Sequence, residues 1–206
     1  MRVKFKPGAI DYLKSLAFHT HVDDFALSKI KDINKPLVLE IGVGKGDYLL
    51  EMATNYPEHF FIGIELNASV LSVAAQKLAD ANLNNVLILT GDVKYLLPKL
   101  SALSLNYIIL NHSDPWPKKR HEKRRLTYST LVNEYYKLLE EGGTLIFKTD
   151  NDDFADYSYI TLSSVPFKEL IFIKDYKGDY DFDAKTEYER KFLNKGVKIK
   201  MIIGKK

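Results

Sequence analysis

The stretch Leu37-Val38-Leu39-Glu40-Ile41-Gly42-Val43-Gly44-Lys45-Gly46-Asp47 joins a short, mainly apolar run to three glycines at alternate positions. An apolar run of that length bounded by turn residues reads as a buried strand. The glycines make a tight turn with no Cβ atoms in the way, and a helical segment follows to about Thr54. Backbone in such a turn can approach a ligand closely, and the helix behind it offers free N–H groups. The same alternation continues along the chain. Phe60-Phe61-Ile62-Gly63-Ile64 is a second strand, and Asn67 then caps a helix rich in Ala and Leu that reaches about Ala81. Val86-Leu87-Ile88-Leu89, Tyr107-Ile108-Ile109-Leu110 and Thr144-Leu145-Ile146-Phe147-Lys148 are the third, fourth and fifth strands. Between the last two, residues 126–140 carry Leu and Tyr at helical spacing, with Gly142-Gly143 as the C-terminal stop. Alternating strands and helices imply an α/β fold with a parallel sheet and helices on both faces, because parallel strands need crossover connections. Two later strands, at about 170–174 and 197–203, complete a mostly parallel, seven-stranded sheet.

The 206 residues fit a single domain, and 46% hydrophobic content is enough for a sizeable core. No repeat, low-complexity tract or linker divides the chain. The expected organisation is one domain over 1–206, with a basic, helical extension at 1–35 and a core at 36–206. The absence of cysteine excludes disulfides, thiolate metal sites and cysteine nucleophiles. The five histidines have no spacing suited to a metal. The N-terminus lacks the apolar stretch of a secretory signal, and no segment approaches the ~18 apolar residues of a membrane span. A soluble, cytoplasmic protein with no membrane partner is therefore expected.

A net charge of +3 conceals a strong asymmetry. Residues 118–125 hold six Lys/Arg and one Glu, residues 185–206 hold eight and two, and residues 1–6 add +3. The body between these segments is acidic, a pattern that suits a polyanionic partner. Solubilising lysines on loops and a tail are the plain alternative.

Ligands of open α/β sheets sit outside the carboxyl ends of the strands. Here the glycine turn misses G-x-G-x-x-G, because Gly46 falls one residue early and Asp47 stands where that pattern wants glycine. It also lacks the G-K-[ST] ending of a phosphate loop. Glu65 ends the second strand, where an acid can accept both hydroxyls of a ribose. Asp92 follows the third, where an acid can accept from an adenine amino group. Glu40 precedes the glycines and suits a cationic ligand such as a sulfonium. Each acid alone could be a loop residue or a helix cap. Three of them at successive strand ends, beside Gly42, Gly44 and Gly46, favour S-adenosyl-L-methionine over a nicotinamide cofactor.

After the fourth strand comes Asn111-His112-Ser113-Asp114-Pro115-Trp116-Pro117-Lys118-Lys119-Arg120-His121-Glu122-Lys123-Arg124-Arg125-Leu126. Two prolines exclude a helix and stiffen the loop around Trp116, the only tryptophan, which could stack on a base or wedge the loop. Asp114 sits where the fourth strand delivers groups to the transferred methyl. Six cations in eight residues repel one another unless a counter-charge is near, which favours phosphates as partners.

These blocks, with Lys148-Thr149-Asp150-Asn151 and Thr186-x-Tyr188-Glu189, resemble the motif series of bacterial tRNA (guanine-N7-)-methyltransferases, in order, from about residue 37 to 196. The block Asp114-Pro115-Trp116-Pro117-Lys118-Lys119-Arg120-His121 is highly specific, whereas the glycine block is not. The resemblance implies a Rossmann-like class I methyltransferase, S-adenosyl-L-methionine as cofactor, tRNA as substrate and 7-methylguanosine at position 46 of the variable loop as product. It further implies that Glu40, Glu65, Asp92 and Asp114 surround the cofactor, with Asp114 the catalytic acid. Lys118 and Asp150, with Thr186, Tyr188 and Glu189, would contact the tRNA or its target guanine. Arg120, His121, Lys123, Arg124 and Arg125 would lie along the RNA backbone. No obligate protein subunit is implied, and either a monomer or a homodimer is compatible. One departure stands out: His112 occupies a position where the family typically has phenylalanine.

The chemistry is consistent with that assignment. Guanine N7 carries a lone pair and no proton, so neither a general base nor a metal is needed before attack. Three alternatives remain open at this level. They are a small-molecule methyltransferase without need of the basic run, a non-catalytic RNA-binding protein, and a nicotinamide-dependent oxidoreductase.

Overall fold

A computed structural model describes residues 5–206, the side chain of Glu187 excepted. Arg2 and Lys4, counted above in the basic N-terminus, lie outside the described residues. The chain forms two compact units, one ending at Leu103 and one spanning Ser104–Lys206.

The first unit contains α1 (Ala9–Lys14), β1 (His19–His21), β2 (Leu37–Ile41), α2 (Asp47–Asn55), β3 (Phe60–Glu65), α3 (Ala68–Asp80), β4 (Val86–Thr90) and α4 (Val93–Leu96). Its strands lie in the order β1-β4-β3-β2, all parallel. All five residues of β2 are buried, as expected of a parallel strand covered on both faces. The Asn67 side chain accepts from the N–H groups of Ser69 (3.0 Å) and Val70 (3.3 Å), satisfying two donors at the start of α3. Leu71, Ala74, Ala75 and Leu78 of α3 then recur at helical spacing and are buried.

β1 is an eighth strand that the sequence pattern did not reveal. Three residues are too few to show a period. It pairs in parallel with β4, His19 Nε2 lies 2.8 Å from Thr90 Oγ1, and Lys99 Nζ donates to the carbonyls of Val22 and Asp23 just beyond it, each at 2.8 Å.

The second unit contains β5 (Leu105–Asn111), α5 (Ser129–Leu138), β6 (Leu139–Thr149), α6 (Asp152–Leu162), β7 (Glu169–Tyr176), α7 (Glu187–Leu193) and β8 (Ile199–Lys205). The order is β5-β6-β8-β7, with β8 antiparallel to both neighbours. The two late strands expected near 170–174 and 197–203 are β7 and β8.

Gly142-Gly143 does not end a helix. The helix stops at Leu138, and the glycines lie within β6, where the register jumps from Leu105↔Leu139 to Tyr107↔Thr144. Gly142 N donates to Lys206 O and Lys206 N to Gly143 O, both at 2.9 Å, so the irregularity also anchors the chain's last residue. A Cβ on Gly143 would come within 2.9 Å of the Glu140 and Leu105 carbonyl oxygens, so glycine is required by close backbone approach.

Among the described residues no helix is long and apolar enough to cross a membrane, and no cluster of three His, Asp or Glu side chains could hold a metal ion.

Candidate active site

In the first unit the turn after β2 runs through Gly42, Gly44 and Gly46, all with positive φ (85°, 59° and 80°). Space is open where Cβ atoms of Gly42 and Gly44 would point, the nearest atom to the latter being Gly42 O at 3.9 Å. Gly46 is different: its Cβ would fall 2.5 Å from the Ala74 Cβ, so the start of α2 packs against α3. Glu65, at the end of β3, ties the turn down. Its Oε2 accepts from Gly44 N (3.1 Å) and its Oε1 from Asn67 N (2.9 Å). A carboxylate oxygen with one partner keeps acceptor capacity for a further donor.

Asp92 follows β4 and caps α4, its Oδ1 accepting from Lys94 N at 3.0 Å. Glu40 is buried within β2, 2% exposed. Glu40 to Gly46, Glu65 and Asp92 thus stand at the carboxyl ends of three parallel strands paired in the order β2, β3, β4. Asp47, the first residue of α2, pairs with Lys77 of α3 at 2.8 Å. Its carboxylate already complements the positive end of the α2 dipole and would repel a pyrophosphate there. Bare glycine backbone flanked by acceptors fits a nucleoside with hydroxyl and amino donors, and S-adenosyl-L-methionine is such a group.

In the second unit, β5 ends at Asn111, and the loop beyond it is braced from within. Arg125 Nε donates to Pro115 O (2.9 Å) and its Nη2 to Trp116 O (3.1 Å). The same guanidinium lies 4.1 Å from the centre of the Tyr157 ring. Trp116, at φ 41°, is half-buried with Arg124 over its face at 4.9 Å and His121 edge-on at 5.8 Å. That is the packing of a wedge. Arg125, expected along the RNA backbone, is turned into the loop, whereas Lys118, Lys119, Arg120, Lys123 and Arg124 are exposed.

Asp114 is exposed as well. Close to it in sequence, Asn111 (both amide atoms) and Ser113 (Oγ) are buried with no hydrogen-bond partner among the described residues. Buried polar groups are rarely left so, and the ring nitrogens of His112 between them also lack a hydrogen-bond partner among the described residues. Neither Asn111 nor Ser113 stands out in the sequence as a site residue. Their only signal was polarity at the end of an apolar strand.

A third group joins two motifs far apart in sequence. Lys148 of β6 is fully buried and donates to Asp183 (2.8 and 2.9 Å), Ala184 O (2.9 Å) and Glu189 Oε2 (2.9 Å). Thr186 caps α7, its Oγ1 accepting from Glu189 N at 2.9 Å. Thr186 and the buried Glu189 therefore position α7, and Tyr188 is exposed. The Tyr188 hydroxyl donates to Asp150 Oδ2 at 3.3 Å. His112 lies between the acids, its Nδ1 3.8 Å from Asp150 Oδ1 and its Nε2 3.6 Å from Glu189 Oε2. Burial disfavours the imidazolium of His112, but Asp150 and Glu189 outweigh it and hold its pKa above the ordinary value. His112 in turn holds the Asp150 carboxyl below its usual range.

Residues 34–202 match the family model described as "Putative methyltransferase". The tRNA (guanine-N(7)-)-methyltransferase of Streptococcus pneumoniae (strain 70585) is 36% identical over 201 residues, covering 95% of each chain. The protein of that name from Streptococcus mutans serotype c (strain ATCC 700610 / UA159) matches to the same extent. The chain belongs to the tRNA (guanine-N(7)-)-methyltransferase family. It is therefore a methyltransferase, and the oxidoreductase and non-catalytic readings fall away. Solved structures agree on the fold. An antibiotic-related methyltransferase superposes with a TM-score of 0.62 at 14% identity, covering 91% of this chain and 94% of that one. Precorrin-6y C5,15-methyltransferase from Geobacter metallireducens gives 0.59 at 14% identity, covering 87% and 85%. These likenesses show that the chain shares the Rossmann-like fold of those methyltransferases.

Proposed function

We propose that this tRNA (guanine-N7-)-methyltransferase acts on guanine 46 in the variable loop of tRNA, in the cytoplasm. Its methyl donor is S-adenosyl-L-methionine, which when bound supplies an electrophilic methyl group on a sulfonium. Residues 36–206 are the catalytic core, 1–35 an N-terminal extension, and no further protein subunit is required.

The observation that carries the RNA substrate is the braced loop at 114–125. Arg125 and Trp116 stiffen it from inside, and five cations stand exposed on it. A preformed array of cations costs little ordering when it meets phosphates. A small-molecule substrate gives no reason for it.

The first unit would hold the cofactor. The bare backbone of Gly42 and Gly44 approaches it, Gly46 sets the entry of the helix, Glu65 accepts from ribose hydroxyls and Asp92 from the adenine amino group. Glu40 favours the cationic amino-acid end. The second unit would serve the base. Guanine N7 needs no deprotonation, so the protein's task is to position the ring and stabilise the charge it acquires. Asp114 is assigned that charge. Asp150 accepts from the N1–H and N2–H₂ donors of guanine, a pair that adenine lacks, with Tyr188 fixing one of its oxygens. Lys118, Arg120, His121, Lys123 and Arg124 follow the RNA backbone, while Thr186, Glu189 and Arg125 support these contacts from behind. N7 of a base inside folded tRNA is reached by local opening.

The test is transfer of labelled methyl to an unmodified tRNA transcript and to a counterpart carrying adenosine at position 46. Label in the first and none in the second supports the assignment. Equal label in both refutes the position, and none in either refutes the substrate.

A further inference from the structure

His112 presents an arrangement that a neutral histidine cannot satisfy. Its ring is 5% exposed, and each of its two nitrogens faces a carboxylate, Asp150 Oδ1 at 3.8 Å and Glu189 Oε2 at 3.6 Å. Neutral imidazole has one N–H and one lone pair, so one nitrogen would turn its lone pair toward an anion. Only the imidazolium directs an N–H at both. The backbone carries a cost to place it there, since His112 is one of three non-glycine residues with positive φ among the described residues (46°).

The remaining groups around the ring point the same way. Tyr188 of α7 lies 5.1 Å away, centre to centre, and its hydroxyl is engaged with Asp150 Oδ2. Lys148 of β6 is a cation whose field opposes the imidazolium and is occupied by Asp183 and Glu189, while Lys200, whose Nζ donates to the Asp150 carbonyl at 2.9 Å, is paired with Asp152. Asp150 from the end of β6 and Glu189 from α7 supply the anions. The cluster Asp150, Glu189, Asp183 and Lys148 therefore carries a surplus of negative charge that one further cation reduces.

We infer that His112 is a positioning residue, held as an imidazolium between Asp150 and Glu189, which orients the Asp150 carboxylate for the target guanine and makes tRNA binding depend on pH. The His112 ring faces one Asp150 oxygen at ionic rather than hydrogen-bonding distance (3.8 Å), and Tyr188 donates to the other (3.3 Å). As pH rises and the ring loses its proton, its attraction for Oδ1 is lost and the two acids repel without a mediating cation. The raised pKa of His112 places that loss above about 6.5. The inference rests on the reading of Asp150 as the guanine-binding acid.

Two measurements on the full chain test it. The first is steady-state methyl transfer to tRNA from pH 6 to 8.5, comparing wild type with H112F and H112Q. Wild type should show KM for tRNA rising roughly tenfold as His112 deprotonates, the factor that about 1.4 kcal/mol represents, with kcat changing less. Both variants should give a KM that is flat across this range. A variant that keeps the wild-type KM limb overturns the inference. The second is NMR titration of the His112 ring in wild type and D150N, which requires no activity and no folded H112 variant. A pKa above 6.5 that falls in D150N supports the bridge, and one at or below 6.5 overturns it. Should wild type make no 7-methylguanosine at any pH, the guanine reading fails, and the titration still decides whether the bridge exists.

Discussion

Asp114 is exposed and has no hydrogen bond among the described residues, whereas Asp150 is half-buried between His112 and Tyr188. The two acids should therefore respond differently to loss of charge. Asp114→Asn removes the carboxylate assigned to the developing positive charge, and kcat should fall by roughly 10²-fold with KM for tRNA little changed. Asp150→Asn should chiefly raise KM for tRNA. Steady-state kinetics of the two variants check both, and the reverse pattern would exchange their roles. His112 also links pH to stability. Its folded pKa lies above its unfolded value, so its contribution is fully present below about 6.5 and lost as pH rises through the folded value. Chemical denaturation of wild type and H112Q at pH 6 and 8.5 should show their stabilities converging at the higher pH. Both acids are candidates in the sequence from the motifs around them. The clasp on Asp150 is not legible there, because Tyr188 and Glu189 lie 38 and 39 residues further along the chain.

Elements set the tolerances of the site. The start of α2 meets α3 at Gly46, where φ is 80° and a Cβ would fall 2.5 Å from that of Ala74. Gly46→Ala should destabilise the protein by about 1–3 kcal/mol, read as a lowered melting temperature. Between β6 and α7 the buried Lys148 joins Asp183 to Glu189. Lys148→Met leaves two carboxylates buried without their cation and should cost about 3–5 kcal/mol by denaturant titration. A loss under 1 kcal/mol would mean that the clasp is dispensable. From the sequence, β2 to β4 and their helices were readable because apolar runs, glycines and the Asn67 cap all agree. Gly142-Gly143 misled because a glycine pair after a helical stretch signals a stop equally well when its real use is an irregularity in the next strand. The strand β1 was hidden because its pairing with β4 covers three residues, too few to show a period.

At the scale of the whole chain, charge separates the two methyltransferase readings. Five exposed cations at 118–124 give tRNA binding a steep salt dependence, whereas a small substrate would show little. Lys119→Ala and Arg120→Ala should each weaken tRNA binding across sequences and reduce the slope of log affinity against log salt by about 1, measured by filter binding. That basic run was visible in the sequence, but its division of labour was not. Which arginine faces solvent and which braces the loop depends on Pro115, Trp116 and Tyr157, and spacing alone does not encode it. The most direct measurement is to methylate a tRNA transcript with this enzyme and map 7-methylguanosine by chain cleavage at the modified base. A single cleavage at position 46 is the expected result. Cleavage elsewhere, or intact tRNA despite turnover of S-adenosyl-L-methionine, would contradict the assignment.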